Sequence, residues 1–460
     1  MNRSLSHYAA AMAGVLHGDD ASFTAVSTDS RSIAAGELFV ALSGPNFDGH
    51  DFVATAVARG AAGVVVTRRM AVDVPQIVVA DTLRALQDAA AAWRTQFPIP
   101  VVAVAGSNGK TTTKEMIAAI LSAHGPCLST RGTLNNHIGV PLTLLRLDRQ
   151  HATAVIEIGA NHPGEVAALM PLVQPTVGIV TNAGAEHLEG FGDLEGVARA
   201  EGELFAGLHS GATAVINVDD PYAPLWRSMS VATRELGFGL AANADFRLEG
   251  EVQSSGPAGS VQEFQMATPA GATTVRLGLA GRHNVQNALG AAAAAFAVGA
   301  NIDGVDVASI AAGLGRMQPV RGRLEVKLAP SGARVIDDSY NANPSSLSAG
   351  LDVLATQSGE RWLVLGDMAE LGEAAAEAHR AAGREARGAG VSRLFAVGSL
   401  TADAVREFGD GAEWFGDSDA LATRVAPLLR HDVTVLVKGS RVNRLERVVA
   451  ALATAVGEGR

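Results

Sequence analysis

The stretch VAVAGSNGKTTTKEM, residues 102–116, contains a phosphate-loop signature with an unusual spacing. The common loop reads G-x-x-x-x-G-K-[ST]. Counted back from the G-K-T at 109–111, its first glycine would stand at position 104, which is Val104, and the nearest earlier glycine is Gly106. The shortened spacing disfavours an ordinary GTPase or transport ATPase.

The residues around this loop supply the context that phosphate binding requires. The apolar run before it predicts a strand buried on both faces, and the apolar spacing after it predicts a helix. Backbone N–H groups at the start of such a helix point at a bound anion. Lys110 would then contact the β- and γ-phosphates, and the Thr111 hydroxyl would face Mg²⁺. The alternative, a glycine-containing turn in an apolar sheet, is disfavoured because strand, G-K-T and helix are in register.

The bulk composition limits the class of protein. A length of 460 residues predicts about three domains at roughly 150 residues each. The net charge of −11 disfavours a nucleic-acid-binding protein, and the single cysteine, Cys127, rules out an internal disulfide and fits a reducing cytoplasm. No signal peptide is recognisable, and the most apolar run, 288–300, is too short to span a bilayer. We therefore expect a cytoplasmic protein without membrane insertion.

Strand-like apolar runs alternate with helix-like segments in three parts of the chain. FPIP at 97–100 interrupts a helix pattern and indicates a first boundary, and a second joint is placed near 317–320. Strands alternating with helices favour parallel sheets, whose ligands gather at the carboxyl ends of the strands. We therefore predict an α/β chain of three domains, with boundaries 1–97, 98–318 and 319–460.

Two chemically useful side chains follow apolar runs of the second segment. Glu157 closes TAVIEIG, and His187 lies a few residues after TVGIVTN. Mg²⁺ prefers oxygen ligands, so a carboxylate, a threonine hydroxyl and phosphate oxygens would form a sensible shell. A neutral imidazole could complete a second Mg²⁺ site, although His187 taken singly is equally well explained as a loop or capping residue.

Longer motifs occur in order along nearly the whole chain. They are STDSRSIAAGELFVALSGPNFDGHDF (27–52), GSNGKTTTKEM (106–116), TLNNHIGVPLTLL (133–145), IEIGANHPGE (156–165), TNAGAEHLEGFG (181–192), GRHNVQNALGA (281–291), RGRLEV (321–326), DDSYNANPSS (337–346) and GDMAELG (366–372). In these motifs the chain resembles the Mur ligase family, which also includes folylpolyglutamate synthase. The resemblance implies a small α/β UDP-sugar domain, a central parallel-sheet P-loop ATPase domain and a C-terminal Rossmann-like α/β domain.

The resemblance is strongest to the family members that join D-alanyl-D-alanine to UDP-N-acetylmuramoyl-tripeptide, a peptidoglycan precursor. It implies that the tripeptide carboxylate attacks the γ-phosphate of ATP, giving an acyl phosphate and ADP, and that the dipeptide amine then displaces phosphate. Because an anion attacks an anion, catalysis must rest on positioning and charge neutralisation. The residues implied as catalytic are Lys110, Glu157, His187 and Arg323. We expect a monomer that uses ATP and two Mg²⁺ ions.

The same resemblance implies a set of ATP-binding residues. Asn284 and Asn287 match adenine-side contacts, although an amphipathic helix with two amides on one face is the alternative. Asp338 matches a ribose contact with Tyr340 nearby, although the surrounding residues are also an ordinary turn signal. The implied set is Gly106, Ser107, Asn108, Gly109, Lys110, Thr111, Thr112, Asn284, Asn287, Arg323, Asp338 and Tyr340.

The first segment matches the region of the family that holds the UDP-sugar end of the substrate. Without the family, a polar, turn-rich surface would be the better explanation of these residues. Two asparagines of the second segment are expected to face the nucleotide-sugar peptide or its phosphates. The implied set is Ser27, Asp29, Ser30, Arg31, Gly44, Asn46, Phe47, His50, Asn135 and Asn136.

One position departs from the family pattern. Family members usually carry a lysine in a K-G-E sequence, carbamylated so that it can hold the second Mg²⁺, whereas this chain reads A-E-G-E with Glu201 at the aligned position. We hypothesise that Glu201 supplies the negative oxygen directly or through water. The alternative is an exposed helix glutamate. The predicted metal set is Thr111, Glu157, His187 and Glu201.

Rival functions stay open on the sequence. A ligase that adds a diamino acid usually shows D-N-P-R, where this chain has Y-N-A-N-P at 340–344, and folylpolyglutamate synthase fits the amino-terminal segment less well. A non-catalytic nucleotide sensor would not need every γ-phosphate group that this chain retains. The third residue of the peptide substrate, lysine or diaminopimelate, is likewise open.

Overall fold

The computed structural model describes residues 3–453, and three β-sheets follow one another along this part of the chain. The first sheet has the order β1-β7-β6-β3-β2, in which only the β1–β7 pair is antiparallel, and β4 and β5 form a separate hairpin. Its elements are α1 (Leu5–Ala11), β1 (Val15–His17), β2 (Val26–Ser27), β3 (Leu38–Val40), β4 (Ser43–Gly44), β5 (Phe47–Asp48), α2 (Val53–Ala58), β6 (Gly63–Val66), β7 (Gln76–Val78) and α3 (Thr82–Arg94).

The second sheet has nine strands in the order β16-β15-β14-β13-β12-β11-β8-β10-β9, and its last three strands in sequence, β14–β16, pair antiparallel. Its elements are β8 (Val101–Ala105), α4 (Lys110–Leu121), β9 (Cys127–Ser129), α5 (Gly139–Leu144), β10 (Thr153–Glu157), α6 (Glu165–Val173), β11 (Val177–Val180), α7 (Leu188–Phe191), α8 (Leu194–Ala206), β12 (Thr213–Asn217), α9 (Ala223–Met229), β13 (Arg234–Gly239), β14 (Phe246–Ser255), β15 (Val261–Thr268), β16 (Gly271–Leu277), α10 (Arg282–Gly299) and α11 (Val307–Gly315).

The third sheet has the order β17-β18-β22-β19-β20-β21 and is parallel except for β17. Its elements are β17 (Glu325–Leu328), β18 (Arg334–Asp338), α12 (Pro344–Ala355), β19 (Glu360–Gly366), α13 (Ala375–Gly388), β20 (Arg393–Val397), α14 (Thr401–Phe408), β21 (Ala412–Phe415), α15 (Ser418–Val425), β22 (Val433–Lys438) and α16 (Glu446–Leu452). The predicted α/β class with parallel-sheet domains is therefore confirmed. Among residues 3–453, no helix combines the length and the apolar character needed to cross a bilayer.

Helix α3 fastens the first sheet to the second. Trp93 Nε1 donates to the Leu147 carbonyl at 3.0 Å, and Arg94 Nε donates to the Val173 carbonyl at 3.0 Å. Both side chains are buried, and one apolar core runs from α1 through α3 into the face of the second sheet that α5, α6 and α8 cover. The first domain therefore shares a core with the central domain.

The strand order of the second sheet determines which residues meet at its carboxyl edge. Strand β8 lies between β10 and β11, so the phosphate loop after β8 stands between Glu157 and the chain after Val180. Helix α10 packs across the opposite face of this sheet from α8, with a row of alanines fully buried. Because these side chains are small, α10 approaches the sheet closely and brings its first turn to the loop.

We predict that Gly290→Ala in α10 lowers the melting temperature. A Cβ at this position would lie 2.9 Å from the Phe238 ring and 3.0 Å from Ile179. Overpacking of roughly 1–3 kcal/mol should outweigh the helix-propensity gain of roughly 1 kcal/mol. The matched control is Gly388→Ala in α13, where no atom lies within 4 Å of the added Cβ. The melting temperatures are measured by calorimetry. If both variants melt at or above the wild-type temperature, this account of α10 packing is contradicted.

Candidate active site

The phosphate loop is shaped by two glycines that have no room for a side chain. Gly106 has φ 118° and Gly109 has φ 81°, both in the left-handed region. A Cβ on Gly106 would overlap Thr181, and a Cβ on Gly109 would lie 2.5 Å from Asn287 Oδ1. Gly109 caps helix α4 at Lys110, so the helix begins where the sequence predicted the phosphate contact. The backbone N–H groups at the start of α4 stay the predicted anion-binding element.

The loop is held in place by the segment that follows β11. Ser107 N donates to the Asn182 carbonyl at 2.9 Å, and Asn108 N donates to Asn182 Oδ1 at 3.0 Å. The Thr181 hydroxyl donates to the Asn108 carbonyl at 2.7 Å. Asn182 was not predicted, although it stands at the end of an apolar run, where ligand-binding side chains are expected in parallel sheets.

Lys110 pairs with Glu186, an acidic residue that the sequence analysis did not name. Its Nζ donates to Glu186 Oε1 at 2.9 Å and to the Ser107 carbonyl at 2.9 Å. Burial opposes the charged ammonium, but the carboxylates of Glu186, Glu201 and Glu157 outweigh burial and raise the Lys110 pKa. Lys110 is therefore a cation at neutral pH, placed beside the turn that would bind phosphate.

Glu157 ends β10 next to the loop and is 3% exposed. Its Oε1 accepts a hydrogen bond from Asn135 Nδ2 at 2.9 Å. Its Oε2 is buried and has no hydrogen-bond partner among residues 3–453. A buried carboxylate oxygen without a partner is uncommon and indicates a missing ligand. This oxygen fits a Mg²⁺ ion, which takes oxygen ligands.

Glu201 lies in α8 and is buried, with 2% of its surface exposed, so the alternative of an exposed helix glutamate is wrong. Its Oε2 accepts a hydrogen bond from Gly106 N at 2.6 Å. Burial raises the Glu201 pKa to about 7, and nearby Lys110 opposes the rise. In this structure Glu201 therefore holds the start of the phosphate loop. Within the described residues, no three His, Cys, Asp or Glu side chains gather as a metal site, and the predicted role of Glu201 in Mg²⁺ binding stays a prediction.

His187 joins the central domain to the third domain. It has φ 49°, in the left-handed region, and its Nδ1 contacts the Glu370 carboxylate. Glu370, in the loop after β19, also has a positive φ, 64°. The contact leaves Nε2 of His187 as the ring atom for the predicted metal. Glu370 was not predicted individually, although its motif GDMAELG was among those that carry the family resemblance.

The third domain reaches the phosphate loop directly. Arg323 Nη2 donates to Thr111 Oγ1 at 3.1 Å, and its Cζ lies 4.3 Å from the centre of the Tyr340 ring. Asn343 Nδ2 donates to Asn108 Oδ1 at 2.9 Å. The two domains therefore touch across the site, and Arg323 faces the loop as the resemblance implied.

A cavity of about 450 Å³, called the cleft below, opens between the central and third domains. Asn284 and Asn287 lie in the first turns of α10 and are buried, with Asn287 Nδ2 donating to Asn284 Oδ1 at 3.1 Å. Lys438 Nζ donates to Asp338 Oδ2 at 2.5 Å. The predicted residues that line the cleft are Ser107, Asn108, Gly109, Lys110, Thr112, Asn135, Glu157, His187, Asn284, Asn287, Arg323, Asp338 and Tyr340. Gly106, Thr111, Asn136 and Glu201 lie outside this lining.

The cleft also contains residues that sequence reasoning missed. His283 stands beside Asn284 in the motif GRHNVQN, and burial lowers its pKa while Asp338 opposes that shift. Lys438, at the end of β22, is buried by more than nine-tenths and holds Asp338 and the Asn341 carbonyl. Lys438 could have been identified from the sequence, because it stands at the end of a predicted strand, where ligand-binding side chains are expected.

The predicted UDP-sugar residues of the first segment lie in the first domain, apart from the cleft, whereas Asn135 and Asn136 belong to the central domain. His50 is buried in the first domain, and both of its ring nitrogens have partners. Its Nδ1 lies 2.6 Å from Asp48 Oδ1, and its Nε2 accepts a hydrogen bond from Thr67 N at 2.9 Å. Asp29 pairs with Arg31 at 2.9 Å, and hydrogen bonds from Arg31 lower the Asp29 pKa. The remaining residues occupy the segment 27–31 and the β4–β5 hairpin: Ser27, Ser30, Gly44, Asn46 and Phe47.

We predict that Glu201→Gln becomes more stable relative to the wild type as the pH rises from about 5 to 8, without nucleotide or metal. The Glu201 pKa is about 7 in the folded chain against 4.5 ordinarily, so the folded protein holds a proton that the unfolded chain has released. The wild type therefore loses stability with rising pH, by at most about 1.4 kcal/mol per unit. Glutamine keeps an oxygen for Gly106 N.

The measurement is the melting temperature of each protein at pH 5, 6, 7 and 8. The matched control is Glu203→Gln in the same helix, where a partly exposed carboxylate accepts from Gly164 N at 2.7 Å. Parallel wild-type and Glu201→Gln curves would contradict the raised pKa.

Three family descriptions match the chain in order. Residues 22–94 match "Mur ligase family, catalytic domain", residues 104–295 match "Mur ligase middle domain", and residues 322–441 match "Mur ligase, glutamate ligase domain".

Individual relatives match along almost the entire chain. The UDP-N-acetylmuramoyl-tripeptide–D-alanyl-D-alanine ligase of Escherichia coli (strain K12) is 45% identical over 454 residues, which cover 98% of each protein. A crystal structure of MurF from Acinetobacter baumannii superposes with a TM-score of 0.89 at 34% identity, over 98% of each chain. MurF ligase from Thermotoga maritima in complex with ADP superposes with a TM-score of 0.80 at 25% identity, over 93% of this chain and 96% of that chain. With these matches and a phosphate loop of the family's short form, the chain belongs to the Mur ligase family.

Proposed function

We propose that this chain is an ATP-dependent ligase that joins D-alanyl-D-alanine to UDP-N-acetylmuramoyl-tripeptide, forming the pentapeptide precursor of peptidoglycan. The carrying observation is the cleft, where the phosphate loop and Lys110 of the central domain face Arg323 of the third domain. The 45% identity to the Escherichia coli ligase over nearly the full chain supports the choice of substrates. The product makes the enzyme a contributor to cell-wall synthesis, and hence to cell shape and division.

The first step requires that a carboxylate approach a triphosphate. Lys110 and the loop N–H groups neutralise the phosphate from one side, and Arg323 adds a planar cation from the third domain. As the tripeptide carboxylate bonds to the γ-phosphorus, the bond to the β-phosphate oxygen breaks and ADP departs. The cations offset negative charge that is present throughout this step, and they lie on fixed elements so that little reorganisation is needed.

The second step forms the amide bond. The dipeptide amine attacks the acyl carbon and a tetrahedral intermediate forms. The intermediate collapses as inorganic phosphate leaves with the C–O bond electrons, and the proton lost by the amine passes to the departing phosphate or to water. We propose that the amine arrives from the third domain. The contacts between Asn343 and Asn108 and between Arg323 and Thr111 bring that domain within reach.

Mg²⁺ would be held by Thr111 Oγ1 and by the free Oε2 of Glu157, with His187 Nε2 and Glu201 proposed for a second ion. Its chemistry there would be the neutralisation of phosphate charge. The unpartnered Glu157 oxygen supports the first position. Glu201 would act through its Oε1 or through a bridging water, because its Oε2 is engaged by Gly106 N.

The first domain is proposed to hold the UDP end of the substrate. Phe47 is 55% exposed on the β4–β5 hairpin, where an apolar ring has few protein contacts and is suited to a ligand. Asn135, which lines the cleft and donates to Glu157, is proposed to contact the peptide part. We further propose that the enzyme acts as a monomer in the cytoplasm, together with its nucleotide substrates.

We predict that sustained, steady-state ADP release requires both UDP-N-acetylmuramoyl-tripeptide and D-alanyl-D-alanine, because only the dipeptide amine consumes the acyl phosphate formed in the first step. A coupled ADP assay with the lysine and the diaminopimelate forms of the tripeptide measures this and identifies the preferred third residue. Lys110→Met should reduce the rate by about 10²–10³-fold or more, since a charged transition-state contact is lost. ADP release with UDP-N-acetylmuramoyl-dipeptide and a diamino acid instead would reassign the substrates. ATP binding without ADP release for any substrate pair would indicate a sensor.

We predict that Glu201→Gln also weakens metal binding to the nucleotide complex. Mn²⁺ replaces Mg²⁺ as a spectroscopic probe, and its affinity for the complex with a non-hydrolysable ATP analogue is measured by electron paramagnetic resonance. Glu203→Gln is again the control. If the variant and the wild type have equal Mn²⁺ affinity and the same Mg²⁺ dependence of turnover, Glu201 does not bind the metal and only holds the loop. Wild-type activity that does not respond to bicarbonate would agree with a carboxylate in place of a carbamate.

A further inference from the structure

Lys114 is a buried lysine in the helix that begins at the phosphate loop. It stands one turn after Lys110 in α4, and its side chain is 1% exposed. Lysine is among the residues least often buried in folded proteins, because its ammonium group loses water on burial. The contacts that hold this side chain inside the protein therefore indicate what it does there.

Two oxygen atoms accept hydrogen bonds from Lys114. Its Nζ donates to the Thr130 carbonyl at 2.7 Å and to Glu115 Oε1 at 2.5 Å. The Glu115 side chain is partly exposed to solvent, whereas Thr130 is buried. The buried contact of Lys114 is therefore the one with Thr130, the residue that directly follows β9.

Thr130 joins Lys114 to Glu157. Thr130 N donates to the Val155 carbonyl at 3.1 Å, and Glu157 N donates to the Thr130 hydroxyl at 2.9 Å. If the parallel ladder continued by one step, Glu157 N would donate to the Thr130 carbonyl. That carbonyl instead faces Lys114, and the hydroxyl takes its place. Lys114 and Glu157 therefore hold two oxygens of the same buried residue.

The chain after Thr130 also holds the side chain of Glu157. Asn135 Nδ2 donates to Glu157 Oε1 at 2.9 Å, and Gly159 N donates to the Asn135 carbonyl at 2.9 Å. The backbone and one carboxylate oxygen of Glu157 are thus fixed, and Oε2 is left buried without a partner among residues 3–453. Lys114 anchors the start of the segment, 130–135, that fixes Glu157 in this way.

Helix α4 connects this segment to the phosphate loop. Its first turn carries Lys110 and Thr111, the residues proposed for phosphate and metal, and its second turn carries Lys114. Residues four apart lie on the same face of a helix, so Lys110 and Lys114 point to the same side of α4. One helix therefore presents the nucleotide contacts and, through Lys114 and Thr130, fastens the strand end that carries Glu157.

An apolar side chain could fill the volume of Lys114 without loss of stability. Buried ion pairs are often replaced by apolar residues of similar size at no cost, or with a gain in stability. Such a residue could not donate to the Thr130 carbonyl, however. What the lysine supplies is therefore a hydrogen bond of fixed length between α4 and the start of segment 130–135.

We propose that Lys114 is a positioning residue, which fixes Glu157 relative to the phosphate loop by way of Thr130. The free Oε2 of Glu157 and Thr111 Oγ1 are thereby placed to bind one metal ion together with the nucleotide phosphates. Groups that orient a metal ligand from outside typically contribute about 10–100-fold to metal affinity or activity. This inference rests on the proposed ATP site and adds to it the residue that orients its carboxylate.

The test measures metal binding without turnover. Mn²⁺ replaces Mg²⁺, and its affinity for the protein with a non-hydrolysable ATP analogue is measured by electron paramagnetic resonance. Lys114→Met and Thr130→Val should each weaken Mn²⁺ binding by about 10–100-fold, while the affinity for metal-free ADP stays unchanged. Thr130→Ser keeps the hydroxyl and should keep the wild-type affinity. The double variant should be no weaker than the weaker single variant, because both changes interrupt one path of contacts.

Turnover gives a second readout of the same variants. In steady-state ADP release, the Mg²⁺ concentration for half-maximal rate should rise by the same factor as the Mn²⁺ affinity falls. The KM for D-alanyl-D-alanine should stay at the wild-type value, because the dipeptide does not contact this path. A residue that acts only on stability would change the melting temperature and leave both metal readouts unaltered.

The matched control is Glu115→Gln, which removes the carboxylate partner of Lys114 and leaves its contact with Thr130. This variant should keep the wild-type Mn²⁺ affinity. An equal loss of affinity in Glu115→Gln and Lys114→Met overturns the proposal, because the ion pair and not the Thr130 contact would then be responsible. Wild-type Mn²⁺ affinity in Lys114→Met or in Thr130→Val overturns it as well.

The outcomes also separate this inference from the proposed function. If Lys114→Met does not fold, Thr130→Val and Thr130→Ser still test the path to Glu157. A wild type that binds Mn²⁺ with the nucleotide but never uses the dipeptide refutes the proposed ligase reaction, and the variants still decide the role of Lys114. A wild type that binds no metal with the nucleotide refutes both.

Discussion

The absence of space for a Cβ at Gly106 and Gly109 is the constraint on which the site depends. Gly106 lies against Thr181, and Gly109 lies against Asn287 of α10. Because the loop is packed on both sides, its backbone is fixed before any anion arrives. The buried Glu201 accepts a hydrogen bond from Gly106 N, the first N–H of the loop, and so also helps to fix the loop.

The third domain is what converts a phosphate-binding loop into a ligase site. Arg323 contacts Thr111, Asn343 contacts Asn108, and Glu370 contacts His187. These are polar contacts, each short and each replaceable by a ligand, and domain interfaces of this kind permit movement. When the third domain closes on the substrates, these contacts within the protein would be replaced by contacts with phosphate. The binding free energy would then be used to align the reacting groups.

The sequence predicts well what depends on local pattern. The loop, its helix and Glu157 follow from an apolar strand, a G-K-T and a strand end, and the parallel strands β8, β10 and β11 follow from apolar runs. The edge strands β1, β2, β17 and β21 were missed because they are short or partly exposed. Glu186 and Glu370 could not be predicted individually, since only folding brings them to Lys110 and His187. The burial of Glu201 likewise depends on how α8 packs.

Glu186 shows why an acidic residue belongs in a site for anions. The Lys110 ammonium is only 15% exposed, and a buried cation without a partner would be costly and would tend to lose its proton. The Glu186 carboxylate offsets that cost and keeps Lys110 charged until a phosphate takes its place. When ATP binds, a phosphate replaces the Glu186 carboxylate as the partner of Lys110. The net gain in binding free energy therefore comes from the additional contacts with the loop N–H groups and with Arg323. The pairing therefore favours a ligand with several anionic oxygens over a single carboxylate, which is the selectivity that a triphosphate site beside a carboxylate substrate requires.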